Sequence, residues 1–253
     1  MRSISINNKL WRNALMNEPY NPRIAIYADG ANKEKMQTQY RDGLVKGFTT
    51  NPTLMAAAGI TDYERFARGV LEVIPDLPIS FEVFSDEFAE MGRQARMIAQ
   101  WGANVNVKIP ITNTRRESSL SLIEELLRDG VKLNVTAMFT PEQVDGLRAS
   151  VGPLDDVIAS IFAGRIADAG QDPEPIMRYA VEVFRDSPQT KVLWASSREA
   201  FNIVQAERCG CHIITVTDDI LKKMKNFGKD LSEFSLDTVK MFYRDATTAG
   251  FKL

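Results

Sequence analysis

Short runs of apolar and β-branched residues alternate along this chain with longer stretches in which apolar residues return every third or fourth position. The short runs fall at 24–29 (IAIYAD), 47–51 (GFTTN), 79–84 (ISFEVF), 105–110 (VNVKIP), 133–139 (LNVTAMF), 157–166 (VIASIFAGRI), 192–196 (VLWAS) and 211–217 (CHIITVT), and they predict eight strands. Several are apolar nearly throughout, as strands covered on both faces are. Between them a 3.6-residue period predicts helices over 62–73, 87–101 and 115–128, the last through Leu120, Ile123, Leu126 and Leu127. Thr140 followed by Pro141 predicts another helix start, with Thr140 as the N-cap and Pro141 in the first turn. Gly102, Gly130 and Gly210 are placed to end helices shortly before the next strand.

A strand–helix alternation repeated eight times over about 230 residues predicts an α/β fold whose parallel sheet closes into a single (β/α)8 TIM barrel. A doubly wound open sheet is the competitor, but no G-x-G-x-x-G follows the first strand. No linker or shift of composition marks a second domain. Residues 1–22 are therefore expected to be an N-terminal extension with a short helix over 9–16, and residues 23–253 the barrel. Past the eighth strand, the pattern predicts C-terminal helices over 218–227 and 236–249.

Composition narrows the function. The 253 residues are 44% hydrophobic and 25% charged, which is ordinary for a soluble globular protein. Thirty-one basic against 33 acidic residues give a net charge of −2, without the basic excess of a nucleic-acid binder. No apolar run approaches the ~20 residues that span a bilayer, and the N-terminus has no apolar core of a signal peptide, so no membrane is expected and the cytoplasm is the default. His212 is the single histidine, which excludes zinc sites built on two or three His and leaves a Ser-His-Asp triad only if His212 serves it. Cys209 and Cys211 lie too close to close a stabilising loop, and they suggest a reducing compartment. With His212 they could form three consecutive soft ligands, but no further Cys or His completes a site, which favours core residues.

Barrels place their chemistry at the C-terminal ends of the strands, and those ends are polar here. Asp29 ends the first run, Asn51 the second, Glu82 lies in the third and Lys108 near the end of the fourth. Asn134 and Thr136 share one face of the fifth, Ser160 and Arg165 belong to the sixth, and Ser196 with Arg198 closes the seventh. A lysine between two β-branched residues and before a proline points to a buried setting, where packing alone would rarely choose it. Burial lowers an amine pKa, and a neutral amine forms a Schiff base with a carbonyl substrate. The alternatives are a lysine snorkelling from the strand end or one paired with Asp29 or Glu82. Those carboxylates could move protons on and off hydroxyl and carbinolamine oxygens. Asn51, Asn134 and Thr136 could orient hydroxyls or a water. The Ser196–Ser197–Arg198 turn after the seventh strand, with Arg165 after Gly164, suits an anionic substrate end.

Taken in order, Asp29, Thr49–Thr50–Asn51–Pro52, Val107–Lys108–Ile109–Pro110, Asn134–Val135–Thr136, Gly164–Arg165–Ile166 with Asp168, and Ala195–Ser196–Ser197–Arg198 resemble the transaldolase family, including its short members related to fructose-6-phosphate aldolase. The match runs from about residue 24 to about 224. The resemblance implies that Lys108 is the Schiff-base lysine and Asp29 the acid/base for the donor hydroxyl. It implies that Glu82 and Thr136 position a catalytic water, and that Thr50, Asn51, Asn134 and Ser160 belong to the substrate-binding set, Asn51 and Asn134 holding the substrate or dihydroxyacetone adduct. Arg165, Ser196 and Arg198 match the phosphate clamp. The implied partners are small sugar phosphates of the pentose phosphate pathway type and further copies of the chain, as a pentamer or decamer. The resemblance implies no metal and no organic cofactor.

Two positions separate the branches. Proteins similar to fructose-6-phosphate aldolase carry glutamine where this chain has Glu82 and tyrosine where it has Phe162, so the chain resembles transaldolases proper. A phenylalanine has no hydroxyl to orient a water, which favours transfer over release of free dihydroxyacetone. An aldolase of that type and a non-catalytic sugar-phosphate binder remain the alternatives. The chain departs from the family at Gly30, where threonine or serine is more frequent, and at Ser197, where an aromatic residue is usual. The second change widens or re-polarises the acceptor end and admits another anionic terminus, such as a sulfonate.

Overall fold

The computed structural model describes residues 20–252. The helix expected over 9–16 lies outside the described residues. Eight parallel strands, β1 (Ala25–Asp29), β2 (Gly47–Thr49), β3 (Ile79–Glu82), β4 (Val105–Pro110), β5 (Leu133–Met138), β6 (Val157–Ile161), β7 (Thr190–Trp194) and β8 (Ile213–Val216), form a closed barrel in chain order. Closure is made by β1 on β8, with Ala25 opposite Ile213 and Ala28 opposite Val216. Alternation along each strand divides the side chains between two environments. Phe48, Phe81, Val107, Val135, Ile161 and Trp194 pack outward under the helices and are buried. The opposite positions fill the interior, where Tyr27, Ile158, Leu193, Ala195 and Ile213 form an apolar cluster.

All eight expected strands are present, several of them shorter than the apolar runs that announced them. The sixth run ends at Ile161, and its second half is the short helix Ala163–Asp168. Asn51 lies past the end of β2: its side chain caps the helix Pro52–Ala57, accepting from Leu54 N–H at 2.9 Å, and Pro52 takes the first turn, where a missing N–H costs nothing. The helix expected from residue 115 starts only at Leu120. Residues 112–118 instead make a small hairpin, because Asn113 Oδ1 accepts from the N–H groups of Arg115 and Glu117 and holds the chain in a turn. Thr140 and Gln143 form a reciprocal capping box ahead of Pro141–Ser150. Gly130 and Gly210 take left-handed backbone at φ 76° and 81°, as helix-ending glycines do, whereas Gly102 does not.

The chain divides into two compact units, one of Pro22–Lys222, which holds the barrel, and one whose described residues are 20–21 and 223–252. The second unit contains the 3-10 turn Met224–Asn226 and the helix Leu231–Ala249, which begins five residues before the expected start at 236. Asp230 explains the earlier start: its carboxylate accepts from Ser232 and Glu233 N–H. Among the described residues no helix is long and apolar enough to cross a membrane.

Candidate active site

A cavity of about 490 Å³ opens at the C-terminal end of the barrel. Its wall includes Asp29, Asn51, Glu82, Lys108, Asn134, Thr136, Ser160, Phe162, Arg165 and Ser196, which are ten of the twelve residues named from the sequence. Strand register explains the convergence. Glu82 lies opposite Lys108, and Lys108 opposite Asn134, so the three side chains point into the barrel side by side.

Lys108 is 6% exposed. Its Nζ lies 3.0 Å from Glu82 Oε2 and donates to the Thr50 carbonyl at 2.9 Å. A buried ammonium persists only with such partners, and two acceptors on one amine meet most of that need. The sequence left open whether this lysine would be paired; it is paired with Glu82. Asp29 Oδ1 accepts from Thr49 Oγ1 at 2.7 Å, and that hydroxyl meets Thr215 Oγ1 at 2.6 Å. Burial holds the Asp29 carboxyl above the ordinary carboxylate range, against the opposing pull of the Lys108 charge and the Thr49 hydrogen bond. A carboxyl shifted in that direction is a stronger base than an ordinary carboxylate, which suits it to proton exchange with a hydroxyl.

Ser80, Asn134 and Ser160 form a line across β3, β5 and β6. Asn134 Nδ2 donates to Ser80 Oγ at 3.0 Å and Ser160 Oγ donates to Asn134 Oδ1 at 2.7 Å, so the amide orientation is fixed from both sides. Thr136 differs. It is buried, lines the cavity, and its hydroxyl has no hydrogen-bond partner among the described residues. Beyond it Ala137 has φ 59°, and the register of β5 against β6 slips between Val135 and Met138. Such a bulge re-aims side chains at a strand end, and here both Thr136 and Ala137 reach the cavity wall.

At the other side of the cavity Arg165 places its guanidinium 5.7 Å from the centre of the Phe162 ring and makes no ion pair among the described residues. Ser196 follows β7 with φ 65°. Its carbonyl lies so close to Gly164 that a Cβ there would sit 1.6 Å from the oxygen, which is why glycine precedes Arg165.

Two expected residues are not on the cavity wall. Thr50 turns its hydroxyl to the Ser80 carbonyl at 2.9 Å and contributes only its own carbonyl, to Lys108. Arg198 is held by Asp168, with Nε 3.0 Å from both carboxylate oxygens, and its Nη1 donates to the Ser196 carbonyl at 2.9 Å. The same bonds hold the Asp168 carboxyl below its ordinary range. The sequence reading missed Ser80, Thr49 as the partner of Asp29, and Thr215. Each stands two residues from an expected site residue or in the inward parity of its strand, and that parity was the available signal. Cys209 and Cys211 are free and buried, and burial raises both thiols, Cys209 to about 11. His212 Nδ1 accepts from Val192 N–H at 3.0 Å, away from the cavity.

Comparison with solved structures supports the fold alone: 2,3-dimethylmalate lyase, of the PEP mutase/isocitrate lyase superfamily, superposes with a TM-score of 0.53 at 13% identity over 96% of this chain and 88% of that one. Sequence comparison goes further. A probable transaldolase of Dehalococcoides mccartyi is 36% identical over 203 residues, covering 79% of this chain and 90% of that protein. Probable transaldolases of Herpetosiphon aurantiacus and Streptococcus agalactiae are 32% and 31% identical, over 87% and 95% of their own lengths. The family model described as transaldolase/fructose-6-phosphate aldolase matches residues 26–253. The chain belongs to the transaldolase/fructose-6-phosphate aldolase family.

Proposed function

We propose that this protein is a transaldolase that moves a dihydroxyacetone unit from a ketose phosphate to an aldehyde through a Schiff base on Lys108. The observation that carries the reading is the buried Lys108 amine on the cavity wall, 3.0 Å from the Glu82 carboxylate. Glu82 takes a proton from the ammonium, and the freed amine attacks C2 of a ketose phosphate such as fructose 6-phosphate or sedoheptulose 7-phosphate. The carbinolamine loses water with the help of the two carboxyl groups. Asp29 then removes the C4 hydroxyl proton, the C3–C4 bond breaks, and its electron pair flows into the iminium as an aldose phosphate leaves. The enamine adds to a second aldehyde, with Asp29 returning the proton to the new alkoxide. Water held by Glu82 and the Thr136 hydroxyl hydrolyses the imine, releasing the product ketose and the amine. Arg165 and Ser196 receive the anionic end of the sugar. Phe162 has no hydroxyl to hold a water near the imine, which favours transfer over release of free dihydroxyacetone.

Borohydride reduction with fructose 6-phosphate tests the reading. The expected result is an adduct located at Lys108 by peptide mass spectrometry and absent from Lys108→Ala. Active protein that gives no adduct would reject the Schiff base. Product measured with and without an aldehyde acceptor separates transfer from simple cleavage.

A further inference from the structure

The ladder between β2 and β3 ends in an irregular way beside Lys108. Phe48 N–H donates to the Pro78 carbonyl at 2.8 Å and Thr50 N–H to the Ser80 carbonyl at 3.1 Å, the evenly spaced pattern of a parallel pair. Continued by one step, this pattern would send Glu82 N–H to the Thr50 carbonyl and pair the Glu82 carbonyl with an N–H at position 52. Position 52 is proline, which has no N–H. The Thr50 carbonyl is occupied by Lys108 Nζ. Both ladder groups of Glu82 turn instead to one side chain: Glu82 N–H donates to Tyr63 Oη at 2.7 Å, and Tyr63 Oη donates to the Glu82 carbonyl at 3.1 Å. Tyr63 opens the helix Tyr63–Val73, and its ring is set among Phe81, Phe84 and Trp101 with centroids 6.0, 4.5 and 5.2 Å away.

We infer that Tyr63 is a positioning residue for Lys108: its hydroxyl takes the Glu82 N–H and so leaves the Thr50 carbonyl to the lysine amine. The same hydroxyl anchors the strand end from which Glu82 reaches Nζ. Lys108 thus keeps two acceptors because a phenol from a neighbouring helix completes the sheet in place of a backbone strand. The relevance of this arrangement to turnover rests on the proposed role of Lys108, whereas the arrangement itself can be tested without turnover.

Tyr63→Phe keeps the ring and removes the oxygen. Glu82 N–H then competes with Lys108 for the Thr50 carbonyl, and the amine is freed from one of the two acceptors that hold it. Acetylation of Lys108 by acetic anhydride at pH 7, without substrate and read by peptide mass spectrometry, is expected to run about tenfold faster than in the wild type, the factor one charge-assisted hydrogen bond is worth. Tyr179→Phe, which removes only a surface bond to Asp145, is the control and must leave the rate unchanged. Thermal melting checks that Tyr63→Phe is folded. If it is not, 3-fluorotyrosine at position 63, a weaker acceptor of the same shape, must give a smaller increase in the same direction. A labelling rate equal to or below that of the wild type overturns the inference. Borohydride reduction with fructose 6-phosphate on the same preparations tests the Schiff base separately, since a wild type that is acetylated at Lys108 but never reduced onto sugar defeats that reading alone.

Discussion

Gly164→Ala is the sharpest test of how the Arg165 side of the cavity, proposed to receive the sugar's phosphate, is built. A methyl group at this position would sit 1.6 Å from the Ser196 carbonyl oxygen and 2.6 Å from its carbon. Both are backbone atoms, so no side chain can swing aside, and the loops after β6 and β7 must separate by roughly 1.4 Å to restore the closest separation real contacts show. Overpacking of this kind costs about 1–3 kcal/mol of stability. The separation also moves Arg165, the next residue, relative to Ser196. Loss of one or two charge-assisted hydrogen bonds to a phosphate is worth about 2–3 kcal/mol, or a rise in KM of roughly 30-fold to 150-fold. The assay is steady-state transfer from fructose 6-phosphate, set beside borohydride trapping of dihydroxyacetone, which carries no phosphate. Gly164→Ala is expected to lose affinity for the phosphorylated donor while still trapping dihydroxyacetone at the wild-type rate. A folded variant whose KM stays within twofold of wild type would refute the reasoning, because the two loops would then not set the proposed phosphate site.

Three further outcomes follow from the geometry. Arg165→Ala should raise KM for phosphorylated substrates at least fivefold more than Arg198→Ala, since the Arg198 guanidinium is already committed to Asp168; equal effects in steady-state kinetics would count against the assignment. Lys108→Met should abolish turnover and lower stability in chemical denaturation by about 2 kcal/mol, because Glu82 loses its ion pair and the Thr50 carbonyl its donor; a variant as stable as wild type would show that the pair is not needed by the fold. Asp29 has a raised carboxyl in the folded state, so its neutral form is the one the native protein favours, and this contribution is lost as pH rises from the ordinary carboxylate value of about 4 through the raised one. Asp29→Asn should remove that fall in stability with rising pH, as measured by melting temperature across the window; parallel curves for the two proteins would contradict it.

The sequence disclosed the site unevenly, for physical reasons. Lys108 was conspicuous because a charge in the middle of VNVKIP has no packing rationale, and β4 matches that run from Val105 to Pro110. Ser80 and Thr215 were hidden because small hydroxyls occur in many strands at little cost, and only the closed register shows what they touch. Tyr63 was invisible for a related reason: it meets Glu82 across 19 residues of chain, through a gap created by Pro52. The apolar run 157–166 concealed a change from strand to helix at Ala163, which periodicity cannot resolve in so short a stretch. Arg198 was placed at the correct turn, but its engagement with Asp168, 30 residues earlier, depends on how two loops meet in space.

The seam between β1 and β8 joins residues 25–28 to residues 213–216. The strand carrying Asp29 therefore waits, during synthesis, for nearly two hundred further residues before its second neighbour exists, and contacts so distant in sequence form slowly. Thr215, which steadies the hydroxyl bonded to Asp29, arrives with that last strand. A nascent chain can bring Lys108 and Glu82 together long before Asp29 is fixed beside them, so the wall of the cavity is completed only in the final act of folding.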